Sequence, residues 1–165
     1  MRIGIEGLPL LFHRTGTSTY THELVENLRR LNLGDRVMLF ARDQRMAGDS
    51  YHKISYTERV ANYLYKEYRL PRELSEHGVE IYHAPRDMVL PSPSRLPCPC
   101  VMTLHDIILV RLASDYYSPA RARMYEHRLR AKVESADPII TISDYSRGDI
   151  LEWSGIDPEK ISVVA

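Results

Sequence analysis

The feature that most constrains this chain of 165 residues is a regular alternation of short apolar runs and longer segments of helical periodicity. Strands are predicted at 2–6, 36–41, 52–56, 80–83, 100–104, 138–142 and 160–164. Helices are predicted between them, at about 19–31, 57–77, 118–136 and 143–153. This alternation predicts a mainly parallel sheet with helices on both faces. We therefore expect an α/β, Rossmann-like three-layer sandwich of about six or seven strands, with the order 3-2-1-4-5-6 at its centre.

The predicted helices carry local signals of their own. In the first helix the apolar positions at helical spacing are Tyr20, Leu24, Leu28 and Leu31. In the helix after 118 the corresponding face is Ala122, Tyr125, Leu129, Val133 and Ala136. Ser118 and Pro119 are typical of an N-cap followed by proline at the first helical position. Pro71 is expected to break the second helix because proline lacks a backbone N–H.

Composition excludes several classes of protein. Basic and acidic residues balance at 22 each, so the chain has no overall field to attract nucleic acid. No apolar run is long enough to span a bilayer, and the first residues are typical of a strand rather than a signal peptide. Cys98 and Cys100 are separated by one residue, where a disulfide would be strained. We expect reduced thiols and a cytoplasmic protein.

Polar side chains gather at the predicted carboxyl ends of the strands, where ligands bind in open parallel sheets. These residues are His13, Arg14, Thr15, Gly16, Thr17, His83, Arg86, His105, Asp106, Ser143 and Asp144. The opposite strand ends carry ordinary turn residues such as Gly34, Asp35 and Gly78. This asymmetry predicts a polar site on one edge of the sheet without naming its chemistry.

The loop H-R-T-G-T-S-T-Y leads into the first helix and has two interpretations. Backbone N–H groups at a helix start bind phosphate or a sugar hydroxyl, and Gly16 lets a ligand approach the backbone closely. The alternative is a plain turn in which Thr17 or Ser18 caps the helix. A dinucleotide site is not expected, because the loop is not G-x-G-x-x-G and no acidic residue follows at the required distance.

His105 is the sharpest single candidate for chemistry. An imidazole at a strand end, beside Asp106, donates or accepts hydrogen bonds near neutral pH. The alternative is a histidine that bonds only its own loop.

His83 is expected to be a packed residue, and Ser143 is expected to cap a helix whose start is itself an anion or hydroxyl site. The sequence shows no further ligands at the spacing that a metal-dependent phosphohydrolase requires.

Three segments, in order along the chain, carry a resemblance to a known family. The first is R-I-G-I-E-G-L-P-L followed by R-T-G-T-S-T-Y-T-H-E-L, and the second is V-M-T-L-H-D. The third is A-D-P-I-I-T-I-S-D-Y-S-R-G-D-I followed by D-P-E-K-I-S-V-V. Together they resemble the N-terminal domain of the GT-B, family-4 (group 1) glycosyltransferases, from one end of the chain to the other.

The resemblance implies that residues 1–165 form the acceptor-side, N-terminal half of a GT-B fold, with the C-terminal donor domain absent. Such enzymes transfer a sugar from a nucleotide-sugar donor to an acceptor with retention and need no further cofactor. The implied partners are a nucleotide sugar and a sugar or glycolipid acceptor, with peripheral contact at the inner face of the membrane. By resemblance, His105 is catalytic, and the substrate- or donor-binding residues are Gly16, Thr17, Asp106, Ser143 and Arg147.

Two other interpretations stay open from the sequence. One is a stand-alone module of flavodoxin-like topology that binds a phosphate ligand at the same edge. The other is the acceptor subunit of a split transferase. The loop contains Gly16 where many family members have two glycines. The acidic and basic residues of the donor domain are also missing from this chain, so we expect it to be inactive alone.

Overall fold

A computed structural model describes residues 1–11, 15–42, 56–87 and 91–164 of the chain. Its centre is a sheet of six strands that all run parallel, in the order β2-β1-β3-β4-β5-β6. The strands are β1 (Ile3–Glu6), β2 (Val37–Phe40), β3 (Ile81–Ala84), β4 (Cys100–Thr103), β5 (Ile139–Thr141) and β6 (Ile161–Val163). The predicted α/β class is therefore confirmed.

The strand order agrees with the predicted one wherever the two can be compared. Of the predicted strand at 52–56, residues 52–55 lie outside the described residues and Tyr56 is helical. The remaining strands follow the predicted sequence of neighbours. The chain passes from β1 toward one edge of the sheet, and the later connections pass toward the other edge of the sheet. Because parallel crossovers are right-handed, the first helix covers one face and the later long helices cover the opposite face.

Seven α-helices are seen in the described residues: α1 (Gly16–Leu28), α2 (Tyr56–Leu64), α3 (Leu70–Glu76), α4 (Ile108–Arg111), α5 (Ala113–Tyr116), α6 (Pro119–Ser135) and α7 (Asp144–Ser154). The main core lies between the sheet and α3, α6 and α7. Its fully buried members include Leu74, Tyr82, Leu129 and Ile150. The predicted inward face of α6 is confirmed, since Leu129 and Val133 are buried on it. None of the described helices is long and apolar enough to cross a membrane.

The expected break at Pro71 is wrong. α2 continues into α3 through a π-helical turn, Tyr65–Arg69, in which the Leu70 N–H donates to the Tyr65 carbonyl. Proline removes the N–H that would have bonded the Glu67 carbonyl. That carbonyl instead accepts from Arg95 Nη1 at 3.5 Å. The wide turn and the arginine together let the helix pass through the proline.

The start of α1 also differs from the prediction. The helix begins at Gly16, and its cap is Thr15, whose Oγ1 accepts from the Ser18 N–H at 3.1 Å. The buried face is centred on Thr21 and Val25 rather than on the predicted leucines. Leu31 is 68% exposed, because the helical path is interrupted next to it by Asn32 at φ 57°.

Candidate functional site

A cleft of about 650 Å³ opens at the carboxyl edge of the sheet. Its floor and walls come from the start of α1, the residues that follow β3 and β4, and the inward side of α6. The lining residues are Gly16, Thr17, Tyr20, Arg86, Asp87, Leu104, His105, Asp106, Leu109, Tyr125 and Ile142. The structure thus brings together Gly16, Thr17, His105 and Asp106, which the sequence analysis had selected. His13 and Arg14 lie outside the described residues.

His105 follows β4 and is half-buried at the cleft, with its ring held from two sides. Its Nε2 lies 3.2 Å from the carbonyl oxygen of Pro85. Since a carbonyl only accepts, Nε2 carries the hydrogen of this bond, and Nδ1 is the acceptor nitrogen of a neutral ring. The Tyr20 ring meets the imidazole edge to face, with centroids 5.1 Å apart. The ring orientation is therefore fixed before any ligand binds.

Asp106 is exposed and caps the helix that follows it. Its Oδ1 accepts from the Ile108 N–H at 2.9 Å, at the first residue of α4. An aspartate in this position can fix the imidazole or cap the next helix, and the contacts of Asp106 support the cap. Asp106 thereby sets the direction in which the chain leaves β4, next to the cleft.

The start of α1 faces the cleft with unpaired backbone donors. A helix leaves its first N–H groups without intrahelical partners. Thr15 supplies partners for Ser18 N–H and Thr19 N–H. Within the described part of the chain, the N–H groups of Gly16 and Thr17 have no such partner. A Cβ added at Gly16 would meet no atom within 4 Å, so neither packing nor backbone conformation requires glycine here.

Beneath the cleft a hydroxyl chain links α1 to the two central strands. Tyr20 Oη and Thr103 Oγ1 are 2.9 Å apart, and Thr103 Oγ1 lies 2.8 Å from His83 Nε2. Burial lowers the pKa of His83 to about 4, so this ring is neutral near pH 7. His83 is packed and hydrogen-bonded, as the sequence analysis expected.

The wall of the cleft formed by the residues after β3 and by α6 carries charged groups. Asp87 Oδ2 accepts from Tyr125 Oη at 3.0 Å, and the backbone oxygen of Asp87 accepts from Lys132 Nζ at 3.3 Å. Burial, together with Asp87, raises the pKa of Tyr125. Arg86 lies beside them, and its Nε is buried without a hydrogen-bond partner.

A buried carboxylate lies near this wall, at the end of β1. Glu6 accepts from the Tyr82 hydroxyl at 2.9 Å and from the Leu8 N–H at 3.3 Å. Burial raises the pKa of Glu6, and the positive charges of Lys66 and Arg86 oppose that shift. Burial also lowers the pKa of Lys66 to about 8. The cleft is therefore backed by an electrostatic cluster rather than by an apolar core alone.

Ser143 and Arg147, two further predicted site residues, are not among the residues that line this cleft. Ser143 caps α7, and its Oγ accepts from the Ser146 N–H at 3.1 Å. The Arg147 guanidinium donates to the carbonyls of Pro158 and Ile161, at 3.1 and 3.5 Å. These contacts tie α7 to the start of β6.

Sequence reasoning missed two aromatic residues of the cleft. Tyr20 lies one helical turn after Gly16, but it was interpreted as a core position of α1. Tyr125 belongs to the predicted inward face of α6, and that face reaches the cleft as well as the core. A hydroxyl on an otherwise apolar helical stripe was the available signal. In the described ranges, no group of three or more His, Cys, Asp and Glu side chains is arranged to hold a metal ion.

Comparison with known families identifies the family to which this chain belongs. The family described as Glycosyltransferase Family 4 matches residues 14–165, which include the whole lining of the cleft. The chain belongs to glycosyltransferase family 4. Its all-parallel sheet and its cleft at the carboxyl edge agree with the Rossmann-like N-terminal domain that the sequence resembles.

A curated relative of this family-4 domain is a mannosyltransferase. The chain is 29% identical, over 179 aligned positions, to the O-antigen chain mannosyltransferase B of Escherichia coli. The alignment covers 98% of this chain and 46% of that protein. The chain thus spans about half the length of its relative.

Proposed function

We propose that the intact protein transfers a hexose from a nucleotide-sugar donor to a sugar or glycolipid acceptor, with retention at the anomeric carbon. This chain supplies the acceptor-side wall of the active site. The observation that carries the proposal is the fixed His105 imidazole, which shares one cleft with the free N–H groups at the start of α1. Membership of family 4 and the name of the mannosyltransferase relative support it.

In this proposal His105 binds the transferred sugar near its reacting carbon. The Pro85 carbonyl holds Nε2–H, so Nδ1 is the ring nitrogen that accepts a hydrogen bond from a sugar hydroxyl. Tyr20 prevents the ring from turning away. A group held this firmly lowers the activation barrier by orientation, because no reorganisation is needed when the substrate arrives.

The N–H groups of Gly16 and Thr17 bind the donor's phosphates or the transferred sugar. Anions bind at helix starts because the N–H groups and the helix dipole both favour negative charge. The open space beside Gly16 allows an oxygen to reach the backbone. Asp106 acts on the site through the α4 cap. The substrate-binding roles of Ser143 and Arg147 stay predictions, and their contacts within the fold account for both residues without a ligand.

Kinetics on the full-length protein test the proposal. We expect transfer from one nucleotide hexose, with a mannose donor as the first to try because of the relative's name. An NMR spectrum of the product should show the donor's anomeric configuration. The chain of residues 1–165 alone should give no transfer and only weak binding of UDP, GDP or their sugar conjugates by calorimetry. A micromolar dissociation constant for this chain, which is a binding free energy of about −8 kcal/mol, would contradict the proposal that the nucleotide binds mainly outside residues 1–165.

We further propose that this domain works at the inner membrane face, through the helices that flank the cleft. Large apolar side chains there are between 41% and 66% exposed: Ile108, Leu109, Leu112, Tyr116 and Met124. The arginines on the exposed side of α6 are Arg121, Arg123 and Arg128. Apolar residues interleaved with arginine suit a surface of anionic lipid, which would bring a glycolipid acceptor to the cleft.

Vesicle sedimentation tests this contact. Wild-type protein should sediment with phosphatidylglycerol vesicles, and less with phosphatidylcholine vesicles or at high salt. Replacing Leu112 and Met124 by serine should reduce the bound fraction. Val60→Ser is the matched control, because Val60 is similarly exposed, at 40%, but lies on α2. Equal sedimentation of all variants would reject the proposed membrane contact.

A further inference from the structure

Arg86 has fewer partners than a guanidinium in its position requires. It follows β3, is half-buried and lines the cleft. Its Nε is buried without a hydrogen-bond partner, and the described residues provide no hydrogen bond or ion pair for its other nitrogens. A guanidinium has five N–H donors, and buried donors are almost always satisfied in folded proteins. An unsatisfied donor at a cleft wall indicates that a ligand supplies the acceptor.

Other partly buried arginines of this chain show what a structural arginine has. Arg147 donates to the carbonyls of Pro158 and Ile161. Arg130 donates to the carbonyls of Trp153 and Ser154, at 3.0 and 3.2 Å. Arg86 has no equivalent contact in the described residues. Its difference from these arginines is the absence of partners rather than the degree of burial.

Two acidic groups close to Arg86 are held by other residues. Asp87, the next residue, directs Oδ2 to the Tyr125 hydroxyl. Glu6 accepts from Tyr82 and from the Leu8 backbone, so it acts on Arg86 only through its charge. The side chains that could have neutralised Arg86 are therefore directed to other partners by the fold.

Arg86 lies in a cluster that contains both cations and carboxylates. Lys66 and Lys132 add positive charge, and Glu6, Asp87 and Glu67 are carboxylates of the cluster. Burial lowers the pKa of both lysines, and the charge of Arg86 contributes to the shift at Lys66. Because charges interact strongly away from water, the cations of this cluster would attract an anion bound in the cleft.

We propose that Arg86 forms an oxyanion subsite in the cleft, which binds a phosphate or carboxylate group of the acceptor. The planar guanidinium fork matches two oxygens of either group. The acceptor is the source favoured by position, because Arg86 lies on the wall with Asp87 and Tyr125, whereas the donor's phosphates belong to the start of α1. The assignment of the oxyanion to the acceptor rests on the proposed function. The existence of the oxyanion subsite does not depend on that function.

Titration of the chain with inorganic phosphate tests the subsite directly. The ¹⁵N signal of Arg86 Nε–H should move with added phosphate, whereas that of Arg130 Nε–H should stay in place because carbonyls of the fold hold the Arg130 guanidinium. Arg86→Gln should weaken phosphate binding by on the order of tenfold or more, and Arg86→Lys should weaken it less. An unmoved Arg86 signal, or shifts confined to exposed arginines such as Arg121, would overturn the proposal.

Stability provides a second measurement that separates a ligand-binding residue from a structural one. Arg86→Gln removes a partly buried charge that has no ion pair among the described residues, so its melting temperature should equal or exceed that of the wild type. Arg130→Gln, the matched control, should melt at a lower temperature and bind phosphate normally, because Arg130 donates to carbonyls of the fold. A clear fall in the melting temperature of Arg86→Gln would give Arg86 a structural role and overturn the proposal.

Kinetics of the full-length enzyme identify the source of the oxyanion. Arg86→Gln should raise KM for the acceptor about tenfold while KM for the nucleotide sugar stays unchanged. A rise in donor KM alone would overturn the acceptor assignment. If the protein binds phosphate at Arg86 but transfers no sugar to any acceptor, the proposed function fails and the subsite stands. The two ideas therefore fail through different observations.

Discussion

The cleft and the corner between α7 and β6 are built from the same kinds of residue and have different properties. Each region contains the start of a helix that a hydroxyl side chain caps. Thr15 caps α1 at the cleft, and Ser143 caps α7 at the corner. Each also has an arginine, and each helix contains a glycine whose added Cβ would meet no atom within 4 Å. In the corner, the Arg147 guanidinium donates hydrogen bonds to backbone carbonyls of the fold. In the cleft, the arginine and the first N–H groups of the helix are left for a ligand.

This difference shows that residue type and position after a strand do not determine a role. What separates the two regions is whether the surrounding backbone already satisfies the polar groups. A satisfied arginine contributes to stability, and an unsatisfied one at a cleft contributes to binding. The predictions below test this distinction, beginning with the buried layer beneath the cleft, where we expect the largest effect.

His83 should make stability depend on pH. The unfolded chain binds a proton at an ordinary histidine pKa near 6.5, whereas the folded ring has a pKa of about 4. The unfolded state therefore gains protons first, and stability falls as pH drops from 6.5 to 4, by about 3 kcal/mol. Urea denaturation at several pH values measures this loss. His83→Gln should remove that part of the dependence; equal slopes in both proteins would refute the assignment.

His105→Ala should lower kcat by roughly 10²-fold, about 2.7 kcal/mol, because the orienting imidazole is lost. Steady-state kinetics on the full-length enzyme measure the effect, with the melting temperature recorded alongside. His83→Ala is the control in the same layer: it should lower stability and affect kcat less. A folded His105→Ala variant with near-normal kcat would return this histidine to a packing role.

Arg147→Ala should destabilise the corner by about 2 kcal/mol, because the carbonyls of Pro158 and Ile161 lose their donor. Thermal unfolding measures the change, and kcat should remain near the wild-type value. Arg123→Ala is a surface control that should change stability by no more than about 0.5 kcal/mol. The opposite result, a lower kcat at unchanged stability, would support the substrate-binding role predicted from the sequence.

The smallest effects concern the two glycines. Gly16→Ala should raise KM for the nucleotide sugar about tenfold, about 1.4 kcal/mol, because its methyl group occupies space that the ligand needs. Gly148→Ala, within α7, should leave KM unchanged and stabilise the fold by about 0.5–1 kcal/mol. Kinetics and thermal melts on both variants make the comparison. If both alanines behave alike, the two helices do not differ in the way proposed.

Much of the fold could be predicted because short buried strands produce a strong signal. The apolar runs at 2–6 and 100–104 lie within one or two residues of β1 and β4. The alternation with helices then restricts the topology to parallel neighbours. The passage of the helix through Pro71 could not be predicted, because it depends on Arg95, which lies far along the chain.

The candidate site could be predicted in part. His105 and Gly16 were found because they follow strands whose carboxyl ends share an edge. The partners that give these residues their properties were not found, since the Pro85 carbonyl and the Tyr20 ring approach His105 only in the folded chain. The same applies to Arg86, which was noted at the edge but not as a residue whose buried Nε lacks a hydrogen-bond partner. Hydrogen-bond satisfaction is a tertiary property, and the sequence alone does not record it.

The π-helical turn at Tyr65–Arg69 makes segment length informative when related chains are compared. Such a turn holds one residue more than an α-helical turn does. Here it allows three consecutive residues, Tyr65, Lys66 and Glu67, to be wholly or partly buried. A relative with one residue fewer in this helix would form an ordinary turn and would not direct a lysine toward the cluster behind the cleft. A gap in an alignment at this place therefore signals a change in the charge behind the cleft, even where every aligned residue is identical.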